Sequence, residues 1–458
     1  MVPDLSASHT GVGAVASASA APSMPSQRRK MSGHTQLGEA YVSLLLFMVV
    51  YCARPEDWIP GLSSVPLAKI AGILALVAFV LSLGQIRQRL PPEIIFLILL
   101  TGQLFATVPM SPVWRGGALN TTLDFAKVVL IVLVMVMAVN TATRLRRLLF
   151  VQAASVAAIS AVAVWKGRLG GERLQGVLNG NYSNPNDLAI AIVMSIPLCL
   201  ALLFLSKSPL WRAVWALAML VMTYAVLLTG SRGGFLALAI TAGVCLWEVA
   251  IRGRRPYLLL LAVVAGIVLW IPSSAILGGR LMGTFDPKDS FVYAYASAEA
   301  RQKLFWRSIE ITAMHPLFGV GPGNFPEVSG IWHVTHNSYT QMSAEGGIPA
   351  FIFYVIILWF GFRNLRRTRK LSAGNREIKL LAGAVHASLA GFVVGSLFAS
   401  YAYQFFPYFL VAYTTVLLRI TKRYAAQSEK PEPATQMEPE HFRAEQSNQN
   451  YPGILAKI

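Results

Sequence analysis

Apolar residues in this chain come in long blocks rather than in helical stripes. The blocks lie at Tyr41–Ala53, Val65–Leu83, Glu93–Val108, Leu123–Val139, Leu148–Val164, Leu188–Leu205, Trp211–Leu228, Gly234–Ala250, Tyr257–Leu277, Ile348–Phe362, Leu380–Ser400 and Tyr403–Arg419. A helix that is apolar all round must be buried in lipid or in other protein. Stretches of about 18 or more such residues read as membrane spans. Lipid offers no partner for backbone polar groups, so each block must close its own hydrogen bonds as a helix. The pattern therefore predicts an all-α integral membrane protein with about twelve transmembrane helices and one long extramembrane loop containing short helices.

The domain plan follows from the same blocks. Residues 1–40 are rich in Ala, Ser, Gly and Pro and read, like residues 425–458, as a disordered tail. Residues 41–277 hold transmembrane helices 1–9, residues 278–347 the long loop, and residues 348–424 transmembrane helices 10–12. The first 40 residues carry no apolar region before Tyr41, which argues against a cleaved signal peptide.

Charge orients the helices. The positions Arg28-Arg29-Lys30, Arg87 with Arg89, Arg144 with Arg146 and Arg147, and Lys207 with Arg212 all fall in one alternating set of loops. That set continues through Arg252, Arg254 and Arg255, then Arg363 to Lys370, then Arg419, Lys422 and Arg423. The positive-inside rule places this set, and with it both termini, in the cytoplasm. Residues 54–64, 109–122, 166–187, 229–233 and 278–347 then face outward.

Composition fits this picture. Apolar residues make up 55% of the 458 and charged residues only 13%, against roughly 25% in soluble domains. A net charge of +18 would suggest nucleic acid in a soluble protein. Here the basic residues sit in short loops without interleaved aromatics, so no nucleic-acid partner is expected. Cys52, Cys199 and Cys245 lie in or beside apolar blocks and show neither disulfide nor metal spacing.

The span interiors carry essentially no Asp or Glu, and His386 is the one ionisable residue read as deep in a block. Intramembrane acids mark ion-coupled transport, so chemistry is expected instead at the outward helix ends, and His386 is read as hydrogen-bonded within the bundle. Three outward segments stand out. In Thr229-Gly230-Ser231-Arg232-Gly233-Gly234 a tight turn leads straight into a helix, whose N-terminal N–H groups and dipole suit an anion. Arg232 adds a planar fork that matches two phosphate oxygens. An arginine snorkelling to headgroups is the bland alternative.

In the long loop, Glu299–Met314 has helical periodicity with Leu304, Phe305, Ile309 and Ala313 on one face, ended by His315-Pro316. Arg301 on that helix could aim at the same anion or lie on a solvated face. Third, His333-Val334-Thr335-His336-Asn337-Ser338-Tyr339 leads into the next span. A histidine near its ordinary pKa is a natural general base for a hydroxyl. The spacing of His333 and His336 would also allow a metal, with Glu327 or Glu345 the remaining ligand candidates, but the shell is incomplete and no metal is expected.

Together these segments resemble the O-antigen ligase and O-antigen polymerase superfamily. The similarity rests on Thr229 to Gly234, Arg301 to Trp306, Pro316-Leu317-Phe318-Gly319-Val320-Gly321 with Gly323-Asn324-Phe325, and His336-Asn337-Ser338-Tyr339 with Glu345 and Gly346. Asn184-Pro185-Asn186-Asp187-Leu188-Ala189 is also similar, and Ala53-Arg54-Pro55-Glu56-Asp57-Trp58 resembles a subgroup of O-glycosylation ligases. The resemblance implies a bacterial inner-membrane glycosyltransferase whose residues 278–347 form a periplasmic loop. Its donor would be a preassembled glycan on undecaprenyl diphosphate, and its acceptor a hydroxyl of a glycolipid (lipid A-core) or a protein. It implies no cofactor, nucleotide sugar or metal. Carried onto this chain, Arg232 and Arg301 would hold the donor diphosphate and His336 would take the acceptor proton, inverting the anomeric carbon. Ser231, Asn337, Tyr339, Glu345 and Asp187 are possible supports, with Asp187 read first as a helix N-cap. A polysaccharide polymerase would use the same donor, and a lipid-linked saccharide transporter would do no chemistry. The uncharged span interiors argue against the transporter.

Overall fold

The computed structural model describes residues 26–59, 61–62, 64–82, 89–166, 169–170, 173–175, 182, 184–282, 292–372 and 374–428. Each apolar block forms a helix: α1 (Ser26–Ala53), α2 (Leu67–Ser82), α3 (Pro92–Thr107), α4 (Arg115–Ala138), α5 (Ala142–Lys166), α6 (Pro185–Leu205), α7 (Pro209–Leu228), α8 (Arg232–Cys245) and α9 (Tyr257–Met282). Helix α10 (Val292–Met314), in the long loop, follows, then α11 (Ser338–Leu371), α12 (Arg376–Gly395) and α13 (Phe405–Ser428). Among the described residues, eight helices are long and apolar enough to cross a membrane, fewer than the twelve spans expected. The shortfall has a physical basis: the apolar parts of α2 and α9 are short, α1 begins in polar sequence, and α13 ends in it.

Helix boundaries also move. α1 starts at Ser26, so residues 26–40, expected as part of a tail, are helical, because adding a residue to an existing helix is far easier than nucleating one. α13 likewise runs on to Ser428; residues 1–25 and 429–458 of the expected tails lie outside the described residues. α11 begins ten residues earlier than its apolar block. It is two helices joined at Gly347, whose φ of 79° and ψ of 175° are non-helical and open to a residue without Cβ.

α12 packs against α6 and α8, while α11 packs against α3 and α13, and α6 lies along α7. Aromatic side chains fill the centre, with Tyr354, Tyr408, Tyr413, Phe392 and Phe409 fully buried. Two carboxylates lie within this bundle, contrary to the expectation from sequence. Glu93, in the first turn of α3, accepts hydrogen bonds from Asn364 and Thr415. Glu248, in a π-helical turn (Leu246–Ile251) that continues α8, pairs with Arg369 and with His386. Both sit near helix ends, where polar or charged groups face them. His386, expected to be hydrogen-bonded within the bundle, lies with Nδ1 3.3 Å from Glu248 but forms no hydrogen bond there among the described residues.

A smaller cluster supports the long loop. Leu304 and Ile311 of α10 pack with Val320, Phe325 and Ala344, the last on α11. The buried face of α10 is therefore Leu304–Ser308–Ile311, one residue off the predicted stripe, and Phe305 and Ile309 are exposed. The polar Ser308 can occupy it because its hydroxyl donates to the Phe305 carbonyl at 2.6 Å.

Candidate functional site

Four segments distant in sequence converge at the end of the bundle where α6, α8 and α11 begin. The first is the turn between α7 and α8. Ser231 caps α8, its hydroxyl accepting from the Gly234 N–H at 3.1 Å and donating to Asn186 Oδ1 at 2.8 Å. This leaves Arg232, half-buried, as the first residue of the helix. A Cβ on Gly233 would stand 2.3 Å from Phe398, and one on Gly234 would stand 2.6 Å from the Ala189 methyl. Glycine is what lets the helix start so close to its neighbours.

The second segment is the start of α6. Asn184, not Asp187, is its N-cap, with its side chain accepting from the Asn186 N–H. Pro185 fills the first helical position, where no N–H is needed. Asp187 falls instead in the first turn, where a negative charge suits the helix dipole. Its carboxyl lies within electrostatic range of Arg301, and its carbonyl accepts from the Tyr401 hydroxyl.

Arg173 belongs to neither motif nor resemblance. It sits on a two-residue antiparallel ladder in which Leu169 pairs with Leu174 and Gly170 with Arg173. Its Nε donates to the Thr229 carbonyl at 2.8 Å and its Nη2 to Asn186 Oδ1 at 3.1 Å. One guanidinium thus ties the α7–α8 turn to α6. An arginine in the loop 167–184, which also carries Arg168, leaves no periodic signal, and only the count of cations in that loop could have suggested it.

The third segment is the entry to α11. His336 has a φ of 51°, a left-handed conformation that is uncommon outside glycine. It is held there by its N–H donating to Ser400 Oγ at 3.0 Å, while Ser400 also contacts the Thr335 hydroxyl. Asn337 is the N-cap of α11, accepting from the Tyr339 and Thr340 N–H groups. Ser338 donates its hydroxyl to the Ala399 carbonyl, and the Tyr339 hydroxyl reaches the Val393 carbonyl at 2.9 Å. The connection 396–404 between α12 and α13 therefore clasps the histidine loop, a fourth segment that sequence reasoning did not single out.

Two cavities open here. One, of about 360 Å³, is lined by Arg232, Arg301, His336 and Asn337, with Phe305 and Phe398. The other, of about 520 Å³, is lined by Arg173, Asn186, Arg301, His333 and His336. Arg301 and His336 belong to both. The imidazole of His336 is held down at about 4 by burial first, then by the positive charge of Arg301 and by His333. It is neutral at pH 7 with a ring lone pair available. Among the described residues no three His, Cys, Asp or Glu side chains form a metal-binding group.

The remaining sequence candidates lie outside both cavities. The Tyr339 hydroxyl is spent on the α12 carbonyl, and its ring meets that of Tyr354 edge-on. Glu345 is buried, and its carbonyl accepts from Gly321 N–H at 2.9 Å while that of Ala344 accepts from Val320 N–H. These bonds fasten the Gly319–Gly321 strap to α11. Asn324, fully buried, donates to the carbonyls of Trp114 and Val320 and to Ser111 Oγ, anchoring the strap to the α3–α4 connection. The glycine-rich motif and Glu345 thus hold the loop in place rather than face the cavities.

A comparison with curated proteins returns no match. Residues 217–355, which run from the middle of α7 into α11 and take in Arg232, Arg301 and His336 but not Arg173, match the sequence model described as O-antigen ligase. Over residues 217–355, about a third of its length, the chain is thus similar to the O-antigen ligase family.

Proposed function

We propose that the protein is a membrane glycosyltransferase of the O-antigen ligase type, moving a glycan from a polyprenyl diphosphate to an acceptor hydroxyl on the outer, periplasmic face of the bacterial inner membrane. The observation that carries this reading is the meeting of Arg232, Arg301 and His336 around one cavity. The similarity to the O-antigen ligase family over residues 217–355 supports a ligase or polymerase activity, and the geometry supports the assignment of roles.

The chemistry follows from where charge develops. As the anomeric C–O bond breaks, its electron pair passes to the diphosphate oxygen. Two guanidiniums beside that oxygen stabilise the charge at a water-poor membrane surface, where such contacts are strongest. The acceptor oxygen attacks from the opposite face, inverting the carbon, and its proton passes to the His336 imidazole and on to solvent. A base with a pKa of about 4 is weak before substrate binds. An anion on Arg301 cancels one of the charges that depress it, so donor binding strengthens the base at the moment it is needed.

The test is transfer in a reconstituted system with purified lipid-linked donor and acceptor. Arg232→Ala and His336→Ala should each lose about 100- to 1,000-fold in turnover, the scale for removing one group that stabilises a transition state, with membrane insertion unchanged. Near-normal transfer by both variants would reject the assignment. Gene deletion then separates the two acceptors. Unligated lipid-linked polymer marks a ligase, and single repeat units on core mark a polymerase.

A further inference from the structure

A third cavity, of about 620 Å³, lies at the far end of the same helices. α8 with its π-helical continuation spans Arg232–Ile251, so about 30 Å separates its two ends at 1.5 Å per residue. That distance matches the hydrocarbon core of a bilayer. The far cavity is lined by Arg252, Arg255, Arg369, Arg376 and Lys379, with Glu248 in its wall.

The backbone is bent to gather these cations. The π-helical turn Leu246–Ile251 interrupts the α-helical register, a feature common at functional sites. Arg254 then adopts a left-handed φ of 54°, turning the chain so that Arg255 lies over the Phe204 ring at 4.3 Å. Glu248 forms ion pairs with Arg369 at 2.7 Å and Arg252 at 3.6 Å and lies 3.3 Å from His386. One carboxylate therefore holds two guanidiniums in place and leaves the cavity strongly positive. The Arg255 Nη1 is buried and has no hydrogen-bond partner among the described residues. A buried charged donor left in this state is costly, and a ligand oxygen would relieve it.

The surroundings give the ligand its setting. Trp247, Ile251 and Tyr257 beside the cavity are exposed, and Trp and Tyr concentrate at the depth of lipid headgroups. Basic pockets between helices at a membrane surface suit phosphate-bearing headgroups. We propose that this cavity is a phosphate-binding site, filled by the anionic headgroup of a membrane lipid or by a free phosphate. The inference does not depend on the proposed transfer reaction, since no side chain is shared between the two ends.

The test uses the full-length protein purified in detergent. Native mass spectrometry reads retention of phosphatidylglycerol against a neutral diacylglycerol, which keeps the chains and lacks the phosphate. A thermal-shift titration with inorganic phosphate reads the free anion. Wild type should retain phosphatidylglycerol over diacylglycerol, and Arg255→Gln should weaken retention roughly tenfold or more. Arg376→Gln with Lys379→Gln changes only exposed side chains and should weaken it likewise in a protein that remains folded. A phosphate-dependent rise in melting temperature lost in the same variants, without lipid preference, would support the site and name free phosphate as its occupant. Equal lipid retention by wild type and all variants, with no phosphate-dependent shift, would overturn the proposal.

Discussion

Arg301 and His336 line the same two cavities, and the charge of the guanidinium is, after burial, a cause of the low pKa of the imidazole. The pair links a group suited to an anion with a group suited to a hydroxyl. Anion binding at one is therefore expected to be felt at the other.

Arg301→Gln should raise the His336 pKa from about 4 toward, but not to, its ordinary 6.5, because burial remains the larger cause. Titration of the imidazole by NMR reads the shift, and an unchanged pKa would show that the two side chains are not coupled. The donor, or inorganic diphosphate as its stand-in, should move the wild-type value in the same direction.

The same depressed pKa makes a statement about acid. Below about pH 6.5 the unfolded chain takes up a proton on His336 that the folded protein refuses until about pH 4. Folding stability from this residue is thus present at neutral pH, falls as pH drops through that window, and levels off below it. His336→Asn should flatten the acid side of the melting-temperature profile, and a profile identical to wild type would contradict the burial.

Asn337→Ala should separate scaffold from chemistry. It removes the acceptor for two N–H groups at the start of α11 and should cost about 1 kcal/mol of stability. Transfer should fall far less than with His336→Ala. A loss equal to that of His336→Ala would make Asn337 part of the reaction.

Arg173→Ala should break the tie between Thr229 and Asn186, destabilising the protein by about 1–3 kcal/mol. Its place in the larger cavity predicts a raised donor KM as well. Arg173→Lys keeps the charge without the two-pronged contact and should recover KM more than melting temperature.

Gly234→Ala places a methyl 2.6 Å from that of Ala189. Overpacking of this kind should cost about 1–3 kcal/mol and lower transfer by displacing Arg232. Ala189→Gly in the same chain should restore both, which a defect unrelated to this contact would not allow.

The sequence alone settled the parts of this protein that depend on local composition. Long apolar blocks can satisfy their backbones only as helices, and each block is one; His315-Pro316 ends α10 because proline cannot continue it. The residues Arg232, Arg301 and His336 were also legible, because glycines, a helix start and a histidine-rich loop leave marks within a few positions of one another. Tertiary structure decided what depends on partners far along the chain. The Glu345 backbone carbonyl, the Tyr339 hydroxyl and the Asn337 side chain bond to Gly321, to Val393 and to the first turn of α11, partners that sequence spacing does not name. Asp187 gave up the cap to Asn184, and Arg173 entered the site across more than fifty residues to meet Thr229. Periodicity reports which face of a helix is apolar; it holds no record of which distant carbonyl or carboxylate will stand opposite, and that pairing is what gathered scattered cations into cavities at both ends of one bundle.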